Sequence, residues 1–599
     1  MRFLPSSLLM AILAGTVTAS LHAQQVPRVA DRPYVFSRAQ FKFGLQPDDY
    51  FNRYVDRPLF LVPEWRSPEV KFAGEARTAL EYGLDGLAFF PQNSHSSQVY
   101  RLAEKKAELR ILTEFYPARQ PGGEAALVAL AGEALRHPAS FRLNGKVVIT
   151  SYNAQQKPVE YWQKLMAEIR SRHGDHFLFL PEITFFGRLP LNSWIKKFNE
   201  GTITEEEVES IKASLRPWAR ATDGLYFNAI TIVRDNDRNF DAAFYRDFVI
   251  RHLKSVLEEP EFHGKLLGLA AKIGHENHTR IGRTLSSNGT KTLRESLERS
   301  IEAAPDVINI PEWDEFNEST CLMPTIYDST SSMRLIRYYM AKAGAQPLAP
   351  LAKDRTEHPN LIISYRKVLA LGEKLEIELL NVPDSSKGPD YTVQVTVKDE
   401  AGTVIRTSPE YRFHRNELTD HTFTLPSETL GGKPVYRIAV TITTAESSTT
   451  FENGLHPISL QPCWNWDYKW VKQPVRELMA VRQCDFQVGK LRPDGTRLVT
   501  ARLTADEPLQ YVEVLENDNV VYSHAAEGVP WRENETQVVL SFGWKSAHQY
   551  GAPLKLKGEI AVEGAEARWL LPGKKPGDPD TVQTAPSVRL DGYGSDLNT

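Results

Sequence analysis

Cysteine is nearly absent: the 599 residues hold three, Cys321, Cys463 and Cys484. A disulfide-built scaffold and any site that grips a metal with several thiolates are therefore excluded. In an oxidising compartment Cys463 and Cys484 can pair around a loop of about twenty residues, with three separate thiols as the equal alternative. An excess of basic charge is missing too. Lysine and arginine total 71 against 75 aspartates and glutamates, a net charge of −4, so neither nucleic acid nor an anionic membrane is implied as a partner. Beyond the N-terminus no apolar run is long enough for a membrane span.

What is present is the composition of an ordinary globular chain, 41% hydrophobic and 24% charged, of a length that suggests roughly three to four units. Residues 1–23 read as a secretory signal peptide, with Arg2, an apolar stretch from Leu8 to Val17 and small residues before a cut after Ala23. A secreted or periplasmic protein is expected.

From Pro33 to about Gly344, short β-branched runs alternate with longer segments of helical apolar spacing. Strands are expected at 34–36, 86–90, 110–115, 147–151, 177–180, 224–227, 266–271 and 307–310. Helices are expected at 73–82, 124–136, 158–172, 240–258, 293–303 and 331–343. Thr204 followed by Glu207 marks a further helix start through a capping box. Eight such β/α steps give an α/β fold, a (β/α)8 TIM barrel over 33–345. The proline-rich stretch 346–360 reads as a linker. The period then changes to two, which predicts two C-terminal β-sandwich domains, 361–457 and 458–572, and a poorly ordered tail from Gly573. In Cys463–Trp470, CWNWDYKW, the residues Trp464, Trp466, Tyr468 and Trp470 share one strand face. Packing between domains is the preferred role for that face, with sugar stacking as the alternative.

In a barrel, residues just past the strand C-termini converge on one mouth. Those are Trp65, Asn93, His95, Glu114, Tyr116, Tyr152, Asn153, Glu182, Asn228, His275 and His278, followed by the decapeptide PEWDEFNEST at 311–320. Cleaving a glycosidic bond takes two carboxyl groups, a proton donor for the leaving oxygen and a base or nucleophile. Glu315 and Glu318, at i and i+3, can supply both, and an acidic solvated loop is the plain alternative. Trp313 offers a flat face for a sugar ring, Phe316 a wall, and Glu312 reads as an ordinary strand-end acid. Glu114, Glu182, Tyr152 and Asn228 can hydrogen-bond sugar hydroxyls, or serve structural pairs. His275 and His278, in GHENH, lack the helical H-E-x-x-H arrangement; sugar contact or a plain loop is expected rather than a metal, and no cofactor is implied.

The decapeptide resembles the W-N-D-Y-x-E-S signature of glycoside hydrolase family 71, the endo-α-1,3-glucanases, and the W-N-E-W-x-E-G signature of the related family 99, the endo-α-mannanases and endomannosidases. Two more family 71 patterns have counterparts, in Tyr82-Gly83-Leu84-Asp85-Gly86-Leu87-Ala88 and in Gly145-Lys146-Val147-Val148-Ile149-Thr150-Ser151-Tyr152, and a D-G-x-F strand matches 223–227. Three positions depart from the family patterns. Asp314 stands where they carry Asn, Glu315 matches family 99 rather than the Asp of family 71, and Arg38 lies where a His is expected.

The resemblance implies that Glu318 is the general acid and Glu315 the base, acting on water or on the substrate's own 2-hydroxyl. It places Trp313 and Asp314 beside a polysaccharide, α-1,3-glucan first and α-mannan second. A polysaccharide-binding protein with a degenerate, inactive barrel is the rival reading.

Overall fold

The computed structural model describes residues 32–41, 56, 58–59, 67–89, 96–104, 108–117, 122–228, 239–276, 284–351, 354–370, 372–452, 455–461 and 469–478, together with strand backbone at 481–488, 499–505, 511–516, 519–525, 557–561, 567–568, 584–585 and 587–591. The signal peptide, Trp65, Asn93, His95, His278, Cys463 and most of the aromatic run lie outside the described residues. No helix among the described residues is long and apolar enough to cross a membrane.

The first unit is built on eight parallel strands: β1 (Tyr34–Ala39), β2 (Gly86–Phe89), β3 (Arg110–Phe115), β4 (Lys146–Ser151), β5 (Phe177–Leu180), β6 (Gly224–Tyr226), β7 (Leu266–Ala270) and β8 (Val307–Asn309). They pair in the order β5-β4-β3-β2-β1-β8-β7-β6. The two ends of that order also meet: a parallel bridge joins Glu182 to Tyr226, and the Ile183 N–H donates to the Tyr226 carbonyl at 2.7 Å. All eight strands fall where the apolar runs predict them, to within three residues at either end.

Helices separate the strands: α1 (Pro68–Glu81), α2 (Ser96–Glu104), α3 (Gly123–Arg136), α4 (Val159–His173), α5 (Leu191–Asn199), α6 (Glu205–Ala221), α7 (242–257), α8 (Lys291–Glu302) and α9 (Ser331–Ala343). α6 starts at the predicted capping box, with the Thr204 hydroxyl accepting from the Glu207 N–H at 3.2 Å and the Glu207 carboxylate from the Thr204 N–H at 3.1 Å. α7 contains a wide π turn over Tyr245–Ile250, and the Tyr245 hydroxyl reaches the β7 carbonyl of Ala270 at 2.7 Å. α2 and α5 escaped the sequence reading because each is a nine-residue helix, short enough to pass for loop by pattern alone.

Alternation along the strands sends every second side chain to the same side. Phe36, Ala88, Leu112, Val148, Leu180, Tyr226 and Val307, from seven of the eight strands, pack into one buried cluster with Phe141. β7 contributes Gly268 at this level, where a Cβ would come within 2.5 Å of the Tyr226 ring. The helices cover the other side through a much larger core.

Beyond residue 360 two sheets face each other around a second core. β9 (Leu361–Arg366), β11 (Lys374–Asn381), β15 (Thr419–Pro426) and β19 (Trp470–Pro474) form the antiparallel sheet β15-β11-β9-β19. β10 (Val368–Ala370), β12 (Tyr391–Asp399), β13 (Val404–Thr407), β14 (Tyr411–Phe413), β16 (Val435–Thr443), β17 (Ser448–Phe451) and β18 (Ile458–Gln461) form the other.

The expected boundary at 457/458 is corrected here. β18 and β19 belong to the first sandwich, because an antiparallel sheet recruits the nearest unpaired edge whatever the spacing in sequence, and β19 supplies five partners to β9. Nor is 346–360 a free linker: the side chain of Asp354 is enclosed between Arg334 of α9, at 2.5 Å, and Arg476. In the expected tail, Ser587–Asp591 pairs with Lys557–Ala561.

Candidate active site

Two residues past six of the seven strand members of the apolar cluster, the same side of the strands turns polar. Phe36 is followed by Arg38, Leu112 by Glu114, Val148 by Thr150, Leu180 by Glu182, Tyr226 by Asn228 and Val307 by Asn309, all of them buried. A buried charge is tolerated only when paired and hydrogen-bonded.

Arg38 is the hub. Its Nε and Nη2 donate to the two oxygens of Glu114 at 2.6 and 3.1 Å, its Nη1 donates to Glu312 at 2.9 Å, and its guanidinium lies 4.5 Å from the centroid of the Tyr152 ring. Burial opposes the Arg38 charge, but Glu114 and Glu312 outweigh it and raise the pKa well above the usual arginine value. Burial pushes the Glu114 carboxyl up while Arg38 pulls it back. With no exposed surface and both oxygens on Arg38, Glu114 forms the structural pair that was the alternative to a sugar contact.

The decapeptide hangs from the end of β8 and is tied to β1. The Trp313 N–H donates to the Arg38 carbonyl at 2.5 Å, and the Gln40 N–H donates to Asp314 at 2.8 Å. The segment then doubles back, with the Glu312 N–H on the Thr320 carbonyl at 3.0 Å and the Leu322 N–H on the Glu312 carbonyl at 2.8 Å. That leaves 315–319 as the tip. Phe316–Glu318 forms one 3₁₀ turn with Glu315 at its N-cap. Three residues per turn bring i and i+3 to the same side, which is why this spacing can present two acids together.

Each acid has its own polar neighbour. The Gln40 side-chain amide donates to Glu315 Oε2, and Glu318 Oε2 lies 3.0 Å from His275 Nε2. His275 is carried by a short hairpin after β7, His275–Glu276 against Thr284–Leu285. Lys272, from the same connection, is buried with Nζ 3.3 Å from the Pro311 carbonyl. Burial lowers its pKa to about 8, against the pull of Glu312, Glu318 and Glu315. Burial likewise raises Glu312 to about 8, opposed by Arg38 and Lys272 and reinforced by Glu315. Burial therefore pushes both groups toward their neutral forms, while each stabilises the charge of the other. Glu312 is thus no ordinary strand-end acid.

The other expected site residues divide. Glu182 is buried, accepts the Asn153 N–H, and is pushed up to about 7 by burial against the pull of Arg38. Asn228 is buried with neither end of its amide hydrogen-bonded, and Glu312 Oε2, Asn309 Oδ1 and Thr150 Oγ1 share that state. Buried polar groups of this kind need a partner. Tyr152 packs edge-on against Tyr116 at 4.8 Å, and burial raises its phenol to about 12.

Trp313 is a correction. It is wholly buried beside Glu75 of α1, packed into the larger core under the helices, and offers no exposed face for a sugar ring. Asp314, 1% exposed, is an anchor for β1 rather than a substrate contact. Sequence reasoning missed Gln40, Lys272 and the hub role of Arg38. Gln40 continues the alternation from Phe36 through Arg38, a signal that was legible.

The sequence matches no family model and no curated protein. Among solved structures it is similar to the GH99 endo-α-mannosidase of Bacteroides thetaiotaomicron, at 15% identity over 52% of this chain and 97% of that chain, with a TM-score of 0.39. A glycoside hydrolase-like protein matches at 12% identity over 52% and 95%, TM-score 0.37. The β-glucuronidase 2 of Bacteroides uniformis matches at 11% identity over 72% and 46%, TM-score 0.36. At these identities and TM-scores the likeness carries no chemistry to this chain, and the reading of the site rests on its own residues.

Proposed function

We propose that the eight-stranded unit is a closed (β/α)8 barrel and that the chain is a glycoside hydrolase cleaving α-linked polysaccharide between Glu315 and Glu318. The observation that carries this is the pair itself: two carboxylates three residues apart on one turn, at the polar end of the strands, each with a different partner. Glu318 shares a hydrogen bond with His275, so a proton can rest on either atom of that contact and be delivered to a leaving oxygen. Glu315 accepts from Gln40, which favours its charged form and suits a base. Glu312, Asn228 and Glu182 stand behind the pair as hydrogen-bonding partners for sugar hydroxyls, with Arg38 holding Glu312 in place.

The two substrate classes are those the quartet's resemblance implies, α-1,3-glucan and α-mannan; Glu at position 315 is the form that favours mannan. The inactive binding protein is disfavoured by the dedicated partners that both acids keep. Release of reducing ends from insoluble α-1,3-glucan, α-mannan and sulfated algal glycans tests the proposal. Hydrolysis of one α-linked polymer is expected, whereas binding to a polymer without release from any would sink it.

A further inference from the structure

His275 reaches Glu318 only because its hairpin is held, and the far end of that hairpin is held by the sandwich. Leu285, opposite His275 in the hairpin, is fully buried. The next residue, Ser286, accepts the indole N–H of Trp470 at 3.1 Å, and Trp470 is the first residue of β19, itself buried. The Ser286 hydroxyl also accepts the Asn288 N–H at 3.0 Å, and the Ser286 carbonyl accepts from Thr292 at 2.7 Å. Ser286 is therefore a knot between hairpin, sandwich and α8.

Four residues on, a second strand of the same sheet takes hold. Glu378 of β11 accepts the Thr290 N–H at 2.7 Å and the Thr290 hydroxyl at 2.9 Å, and pairs with Arg294 at 2.9 Å. Thr290 is the N-cap of α8 and makes no cap of its own. The sandwich carboxylate does that work, at the helix end where a negative charge is favoured. Glu378 is 6% exposed, so its three bonds are made away from water.

We infer that the first sandwich is a positioning domain for the candidate acid: Trp470 and Glu378 set the His275 hairpin so that the imidazole stands against Glu318. This rests on the proposed hydrolase reading. Neither Trp470 nor Glu378 touches the reacting atoms; both act through His275. Charged groups near Glu318 include His275, at 3.0 Å, and Lys272, both from the connection after β7, and Lys272 also feels Glu315.

The test uses the full chain with three single changes, Trp470→Phe, Ser286→Ala and Ser286→Thr, and the double variant Trp470→Phe/Ser286→Ala. Losing the indole N–H or the hydroxyl is expected to lower kcat about tenfold, the scale of a small misplacement, with KM held within about twofold. The limb of the kcat–pH profile assigned to Glu318 should move. Ser286→Thr keeps the hydroxyl and should restore both, and the double variant should be no worse than either single change.

Titration of the His275 ring by NMR, assigned with His275→Gln, reads the same contact without turnover. If no polymer is cleaved, the hydrolase reading fails and this titration alone decides the inference. A shifted His275 titration in Trp470→Phe and Ser286→Ala supports it. An unchanged titration, or an unchanged pH profile with full kcat, overturns it.

Discussion

The interior of the eight-stranded unit has two levels made by the same strands, and they differ in kind. At Phe36, Leu112, Val148, Leu180, Tyr226 and Val307 the side chains fill space; two residues later, at Arg38, Glu114, Thr150, Glu182, Asn228 and Asn309, they hold charge and hydrogen bonds. The backbone is the same at both levels, so only side-chain chemistry separates an apolar floor from a layer of buried charge and hydrogen bonds. The polar level is costly, and Arg38 limits that cost by engaging Glu114 and Glu312 at once.

The comparison is broken most severely at the acids just above the polar level. Glu318→Gln and Glu315→Gln should each lower turnover by at least about a thousandfold, within the span assigned to positioned acids and bases. Circular dichroism and melting should stay unchanged, because the two acid side chains are only half-buried and belong to neither apolar core. In the polar level, Arg38→Met leaves Glu114 buried without its partner, and urea unfolding should show a loss of about 3–5 kcal/mol. In the floor, Leu112→Ala should cost about 2–4 kcal/mol by opening a cavity, while KM for the polymer stays unchanged.

A pH experiment separates the levels further. Glu75 is buried beside Trp313 and Asp314, and burial lifts its carboxyl from 4.5 to about 8 despite Lys71. Between those values the folded chain keeps a proton that the unfolded chain has released, so stability falls as pH rises through that window. Glu75→Gln should flatten this slope, the difference from the parent growing from about pH 4.5 to 8 in chemical denaturation. The smallest effect belongs to the surface: Thr204→Ala removes the α6 cap, worth about 1 kcal/mol in thermal melting, and leaves both levels untouched.

The eight strands were legible because short apolar runs bounded by helical spacing have few other readings, and the acid pair was legible because i, i+3 spacing is local. Partnership across strands was not. Arg38 stood out in sequence only as a departure, since its meaning depends on β1 pairing with β8 on one side and lying one strand away from β3 on the other, where Ala88 of β2 is the residue between, so that Glu312 and Glu114 both come within reach. Trp313 was misjudged for the same reason: an aromatic next to acids can face either side, and the side is set by the Trp313 N–H bonding to the Arg38 carbonyl. Glu312 read as an ordinary strand-end acid, and Lys272 gave no signal, because burial is not visible in the sequence. β19 was assigned to the wrong sandwich because period-two alternation identifies a strand without naming its neighbour.

The central claim is that Glu318 gives a proton to the leaving oxygen while Glu315 acts as base. It is tested most directly with two α-glycosides of the cleaved sugar, one with a sugar alcohol and one with a dinitrophenolate as leaving group, assayed on Glu318→Gln and Glu315→Gln. A dinitrophenolate departs without protonation. The account predicts that Glu318→Gln is restored toward parental turnover on that substrate alone, and that Glu315→Gln is inactive on both. Equal loss on both substrates in Glu318→Gln, or restoration of Glu315→Gln instead, would contradict it.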